Sequence, residues 1–267
     1  MSSALARSRK TKVAREVICE RVYRPLAHVV VIVLLPLRVP PPFVAATAGA
    51  TGMAAAVQLA QGRLLLAAIL IQAKTILDNA DGQLARLSGR ITAFGRYLDS
   101  ELDLFVNAAL FVGVVALTGR TALAVAGFLA LTTVLSVNYN SERLYRVERG
   151  DIATSMPETT GCAANVLRRF YGVLYAPQDR LVERFVAHRL RNAGPQERAA
   201  YHDRATLSVL ANLGMSTQLL AFGTCIALGR PAFFSWIALA ELALVVLLAL
   251  RRDLVLRVPS VGREESA

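Results

Sequence analysis

Six long apolar runs constrain this chain more than anything else in it. They lie near 43–60, 64–77, 102–117, 121–137, 207–228 and 232–250. Each reaches the roughly 20 residues that a helix needs to cross the hydrocarbon core once its flanks are included. A hydrophobic content of 55% over 267 residues would also suit one large soluble domain, but the pattern decides for the membrane. The expectation is an all-α integral membrane protein with six transmembrane helices.

Charge gives the orientation. Of the 30 Lys and Arg residues, 26 fall in 1–42, 86–96, 141–204 and 251–267, whereas only Arg63, Arg120 and Arg230 lie in the turns facing the other way. The positive-inside rule then places both termini in the cytoplasm of what reads as a prokaryotic cell membrane. A net charge of +11 could also point to nucleic acid, yet the basic residues lie between apolar runs and form no aromatic-interleaved patch. The partner implied is the membrane lipid, and no nucleic acid. Cys19, Cys162 and Cys225 are odd in number and make no CxxC pair, so structural disulfides are not expected. His28, His188 and His202 show no metal-ligand spacing, which leaves oxygen ligands, and hence magnesium or manganese, as the metal chemistry open to this chain.

The organisation follows. Residues 1–42 read as a cytoplasmic basic arm and an interfacial amphipathic helix, with Val13, Val17, Ile18 and Val22 on one face. The run 28–37 is too short to span, and Pro40, Pro41 and Pro42 mark the entry to the first span. Residues 43–250 form the membrane domain. In its first span Ala46, Ala50 and Ala54, with Gly49 and Gly52 nearby, predict a close-packing face. The insertion 141–204 holds 11 arginines together with Phe170, Tyr171, Tyr175, Leu181 and Phe185. It reads as amphipathic helices on the membrane surface, divided near Pro177 and Pro195. Asn107 is expected to bond across helices, and Glu241, in mid-span, to face protein. Residues 251–267 read as a polar, flexible C-terminal tail.

The stretch 78–103 sets the function. Asp78 and Asp81 are three apart, and Asp99 and Asp103 four apart, so each pair projects from one helical face at the edge of an apolar segment. Carboxylates there are costly unless they share protons or bind divalent cations. Lys74, four residues before Asp78, reads as a counter-ion. Asp78 lies about 12 Å below Arg86 along one helix and Asp103 about 10 Å past Arg96 along the next, matched depths that predict a pocket open to the cytoplasm. Gly82 and Gly95, in helical surroundings, leave room for a bulky anion, with Arg86 as its donor. Gly89 suits a helix C-cap.

Asp78, Asp81, Gly82, Ala85 and Arg86, then eight residues, then Gly95, Asp99 and Asp103, match all eight positions of one signature. The chain resembles the CDP-alcohol phosphatidyltransferase family, also called CDP-alcohol phosphotransferases. The resemblance implies six spans, a homodimer, and two divalent metal ions, Mg2+ or Mn2+. Asp78, Asp81 and Asp99 would be their ligands, with Asp103 near the metals as general base. It implies that Asp78, Gly82, Ala85, Arg86 and Gly95 line the site for a CDP-linked donor. One departure is that Pro41, Pro42, Phe43, Val44 and Ala45 stand where the family commonly carries a Pro-Asn-x-x-Thr element. The function implied is transfer of a phosphatidyl group from a CDP-linked donor, with CDP-diacylglycerol favoured, to an acceptor alcohol with release of CMP. The alternative is a cation- or proton-coupled transporter using the same aspartates.

Overall fold

Proline starts and glycine stops divide the chain into its helices. The computed structural model describes residues 13–150 and 176–257, and among these there is no strand. A π-helical turn over Cys19–Tyr23 runs into α1 (Arg24–Leu34). It is followed by α2 (Pro41–Ala60), α3 (Leu64–Ser88), α4 (Ala93–Thr118) and α5 (Thr121–Glu148). After the insertion come α6 (Ala176–Arg189), α7 (Pro195–Tyr201), α8 (Arg204–Ala211), α9 (Met215–Ala227) and α10 (Phe233–Arg257). Prolines open α2 and α7, where the missing N–H has no partner to lose. Gly89 and Gly119 close α3 and α4 in the left-handed region, at φ 68° and 67°, a conformation that a Cβ would strain.

Five stretches are long and apolar enough to cross a membrane: α2, Tyr97–Thr118 of α4, α5, Pro195–Ala227 and Phe233–Leu254 of α10. The remaining expected span is α3. Its 25 residues extend about 37 Å, but every 18-residue stretch of it contains Lys74, Asp78 and Asp81. The residues that make α3 chemically interesting are those that take it out of the apolar set.

Helix α2 sits against both α3 and α4, and glycines make the approach possible. A Cβ on Gly49 would meet Leu102 Cδ2 at 2.8 Å, and one on Gly52 would meet Val106 Cγ1 at 2.6 Å. The packing face is therefore Ala45, Ala48, Gly49, Gly52, Ala55 and Ala56, all buried. Ala46, Ala50 and Ala54, expected there from their spacing, are exposed on the other side. The glycines decide the face, because the α4 side chains need the space of a missing Cβ. Similarly, α5 meets α10 where a Cβ on Gly127 would lie 2.6 Å from Ser235 Cβ. Phe222 and Phe234 stack at 4.3 Å beside Phe111 in the core between them.

On α1, Ala27 and Val31 pack with Val44, Ala80 and Leu84, while Leu26, Val29 and Val33, with Val22 of the preceding turn, form an exposed apolar stripe. One face holds protein and the other suits lipid, as expected of an interfacial helix.

Three boundaries differ from the sequence reading. The fourth span does not end with the apolar run 121–137 but continues as α5 to Glu148, stabilised by an Arg146–Glu142 ion pair at 2.8 Å. The fifth run, 207–228, is broken at 212–214 between α8 and α9. The C-terminal tail does not start at 251, because α10 reaches Arg257 with Arg252 and Asp253 buried. In the insertion, α6 is tied to α5 by Asp179, which accepts from Asn140 Nδ2 at 2.6 Å and Ser136 Oγ at 3.0 Å. An Arg143–Glu183 ion pair adds to it. Leu181 and Phe185 stay exposed on α6; Phe170, Tyr171, Tyr175 and Cys162 lie outside the described residues.

Candidate functional site

The signature folds as a helical hairpin, and its turn is specified by its own residues. Gly89 caps α3, its N–H donating to Ala85 O. Thr92 caps α4, its Oγ1 accepting from Gly95 N at 3.1 Å. Asp78 lies ten residues before the end of α3 and Asp103 ten residues after the start of α4, so both stand about 15 Å from the turn. The matched depths inferred from the sequence are thus reproduced by the helix ends.

At that height one carboxylate oxygen from each of Asp78, Asp99 and Asp103 lies within 4.8 Å of the others. Lys74 joins them. Its Nζ donates to Asp78 Oδ1 at 2.8 Å and also pairs with Asp103 Oδ1, so one ammonium bridges α3 to α4. The lysine is 2% exposed, while Asp78 and Asp103 keep 20% and 15% of their side-chain surface. The counter-ion is enclosed and the carboxylates open onto the space they would share with a ligand. The sequence spacing indicated the Asp78 contact but carried no sign of the Asp103 contact, because the latter depends on how the hairpin closes.

Asp81 is buried one turn beyond Asp78 and is not among the three clustered carboxylates. Gly82 lies beneath the guanidinium of Arg86: a Cβ there would stand 3.3 Å from Arg86 Nη1. Arg86 thus folds back along α3 across the position where the sequence reading left room for an anion. Ala85 and Gly95 are half-buried near the hairpin turn, and a Cβ on Gly95 would press on Thr92 Oγ1 at 3.2 Å. The structure groups Asp78, Asp99 and Asp103, with Asp81, Gly82, Ala85 and Arg86 following along α3 and Gly95 at the start of α4.

Neighbouring polar residues hold the two helices. Asn79 accepts from Cys19 Sγ at 3.1 Å and donates to Ser216 Oγ at 3.4 Å. Asn107 donates to Met215 Sδ at 3.6 Å, the cross-helix role expected of it. Gln83 donates to Arg24 O at 3.0 Å and ties α1 to α3. In the last two spans, Gln218 Nε2 donates to Glu241 Oε2 at 2.5 Å, so Glu241 does face protein. The only sign of the Asn79 and Gln83 contacts in the sequence is that amides stand inside a signature helix.

The donor set is chemically selective. Three clustered carboxylates without imidazole or thiolate suit a hard divalent cation such as magnesium or manganese, and suit zinc or iron poorly. The acidic cluster therefore fits a divalent-metal site.

The signature 78–103 lies inside the stretch that a known family matches. The family model described as CDP-alcohol phosphatidyltransferase matches residues 22–169. The chain is 36% identical over 103 residues to an archaetidylinositol phosphate synthase of Methanothermobacter thermautotrophicus, 39% of this chain and 52% of that protein. It is 34% identical over 94 residues to an archaetidylinositol phosphate synthase of Pyrococcus horikoshii, 35% of this chain and 49% of that protein. A bifunctional IPC transferase and DIPP synthase of Archaeoglobus fulgidus is 41% identical over 86 residues, 32% of this chain and 17% of that protein. The chain thus spans about half the length of the two synthases it matches and less than a fifth of the bifunctional protein.

Proposed function

The chain belongs to the CDP-alcohol phosphatidyltransferase family, and on that premise we propose that it moves a phosphatidyl or related phosphoalcohol group from a CDP-linked donor to an acceptor hydroxyl, releasing CMP. The observation that carries the reading is the clustering of Asp78, Asp99 and Asp103 within 4.8 Å at the junction of α3 and α4.

Asp78, Asp81 and Asp99 would hold two divalent cations, Mg2+ or Mn2+, with Asp103 beside them. When bound, these would neutralise the charge that develops on the diphosphate oxygens. The chain's own residues do the rest. The acceptor oxygen forms a bond to the phosphorus carrying the alcohol group, and the bond from that phosphorus to the bridging oxygen breaks, with its electron pair leaving on CMP. Asp103 takes the hydroxyl proton. Lys74 orients Asp103 by its ion pair. Arg86 would donate to the phosphates once it lifts from Gly82, and the small residues Gly82, Ala85 and Gly95 would let the nucleotide approach the backbone. The depth of the carboxylates leaves lipid tails in hydrocarbon while the polar groups meet at the metals.

The distribution of Lys and Arg favours a site mouth facing the cytoplasm, the membrane is proposed to be that of a prokaryotic cell, and the family resemblance favours a homodimer. CDP-diacylglycerol is the proposed donor. Two of the relatives are archaetidylinositol phosphate synthases, which makes a phosphorylated inositol the first acceptor to test.

The test is magnesium-dependent CMP release by the purified full chain in lipid, with CDP-diacylglycerol and a panel of acceptors, beside Asp103→Asn and Asp81→Asn. Acceptor-dependent release that both variants lose supports the assignment. Release in the reverse arrangement only, with CDP-linked headgroups and diacylglycerol, overturns the donor. No release in either arrangement favours the transporter alternative, which uses the same aspartates without liberating nucleotide.

A further inference from the structure

The break in the fifth span is capped from the other end of the chain. At 212–214 the first N–H groups of α9 lose their intrahelical partners, and the N-cap residue, Gly214, has no side chain to replace them. Glu16, only 5% exposed, takes that place. Its Oε1 accepts from Thr217 N at 2.5 Å and from Thr217 Oγ1 at 2.7 Å, across 201 residues. A Cβ on Gly214 would lie 2.5 Å from Glu16 Oε2, so glycine is needed there to admit the carboxylate. Beside it, Val17 N donates to Asn212 Oδ1 at 2.9 Å. Further along the same segment, Tyr23 donates to Gln72 Oε1, and Gln72 Nε2 donates to Leu219 O at 3.2 Å. Burial and the nearby Glu16 push the Tyr23 phenol up to about 12.

The first turn of α9 touches both helices of the metal site. Ser216 meets Asn79, the residue after Asp78, and Met215 meets Asn107, one turn beyond Asp103. A carboxylate on a helix N-terminus is favoured by the aligned peptide dipoles, the more so away from water. We propose that Glu16 is a positioning residue. It fixes the first turn of α9, and through Ser216 and Met215 it holds α3 and α4 at the separation that brings Asp78 and Asp103 to one cation. The inference rests on the metal-site reading above.

The test uses the full chain in lipid nanodiscs as wild type, Glu16→Ala, Glu16→Gln and the double variant Glu16→Ala with Gly214→Ser. Hydrogen exchange over 213–220 reads the cap, Mn2+ binding by electron paramagnetic resonance reads the site, and CMP release reads the reaction. Loss of a charge-assisted cap in Glu16→Ala is expected to speed exchange about tenfold. Mn2+ affinity should weaken about fivefold or more, with the acceptor KM unchanged. Glu16→Gln, which keeps an acceptor oxygen, should fall between. In the double variant the serine occupies the space the carboxylate leaves and caps the helix in cis, so Mn2+ affinity should return to within about twofold of wild type. Exchange unchanged in Glu16→Ala overturns the cap. Faster exchange with Mn2+ affinity unchanged overturns the coupling to the site. If Glu16→Ala fails to fold, recovery of folding and Mn2+ binding in the double variant supports the proposal, and failure of both variants beside wild-type affinity in Glu16→Gln overturns it. Wild type that binds Mn2+ but releases no CMP defeats the transferase reading alone, since exchange and Mn2+ binding still decide the role of Glu16.

Discussion

Replacing Lys74 by methionine isolates the electrostatics of the site. Methionine keeps the apolar stem that lies beside Gly52, where a Cβ would stand 3.2 Å from Lys74 Cγ, and removes only the ammonium. Asp78 and Asp103 then face each other without a counter-charge. Removing one partner of a buried ion pair typically costs about 3–5 kcal/mol, and the residual 20% and 15% exposure of the two carboxylates places this case at the lower end, about 3 kcal/mol. For a chain of this size that corresponds to a fall in Tm of roughly 6–12 °C. A divalent cation supplies the missing positive charge, so saturating magnesium should reduce the deficit to under about 1 kcal/mol. Magnesium should also bind the variant more tightly, because no ammonium competes for the same oxygens, while CMP release falls as Asp103 loses its orienting partner. Thermal unfolding in lipid with EDTA or with magnesium measures the first effect, and a magnesium titration the second. A deficit that is the same in both conditions, or weaker magnesium binding, would refute the argument that Lys74 and the cation serve the same carboxylates.

Other changes test separate parts of the structure. Asp103→Asn is expected to lower the rate of CMP release by about 10²–10⁴-fold while donor binding persists, measured in single-turnover assays. Gly52→Ala should lower thermal stability by about 1–3 kcal/mol, because its Cβ meets Val106 at 2.6 Å. Ala50→Leu, on the exposed side of α2, should stay within about 0.5 kcal/mol. Thr92→Ala removes the cap of α4 and should cost about 1 kcal/mol, with faster hydrogen exchange of residues 93–96.

What could be read in the sequence is what depends on local spacing. Five of the six expected spans follow from apolar length, the hairpin from Gly89 and the Asp pairs from i,i+3 and i,i+4 geometry. Counting along helices was enough to give the matched depths of Asp78 and Asp103. What could not be read depends on which helix meets which. The spacing of Ala46, Ala50 and Ala54 suggested one face of α2, but Leu102 and Val106 of α4 select the face of Gly49 and Gly52 instead. Hydropathy treats 207–228 as one continuous span, since a single asparagine and glycine hardly lower its mean.

The fifth-span break also shows why a local reading fails there. A chain interruption inside an apolar segment leaves polar backbone groups that must find partners. Neither 212–214 nor the residues beside it carry a side chain that caps the first turn of α9. The partner is Glu16, in a segment that composition alone reads as part of a basic arm. Glu16, one of two acidic residues among the eight basic ones of 1–42, has no evident local purpose, and Gly214 looks like a poor N-cap. Each residue explains the other once they are brought together: the glycine is small because the carboxylate occupies its side-chain space, and the carboxylate is buried because it bonds the helix that the glycine opens. On this argument the N-terminal segment is part of the membrane domain's polar framework, and removing residues 1–18 should disturb Mn2+ binding as Glu16→Ala does. A shortened chain that folds and binds Mn2+ like the wild type would place that framework elsewhere.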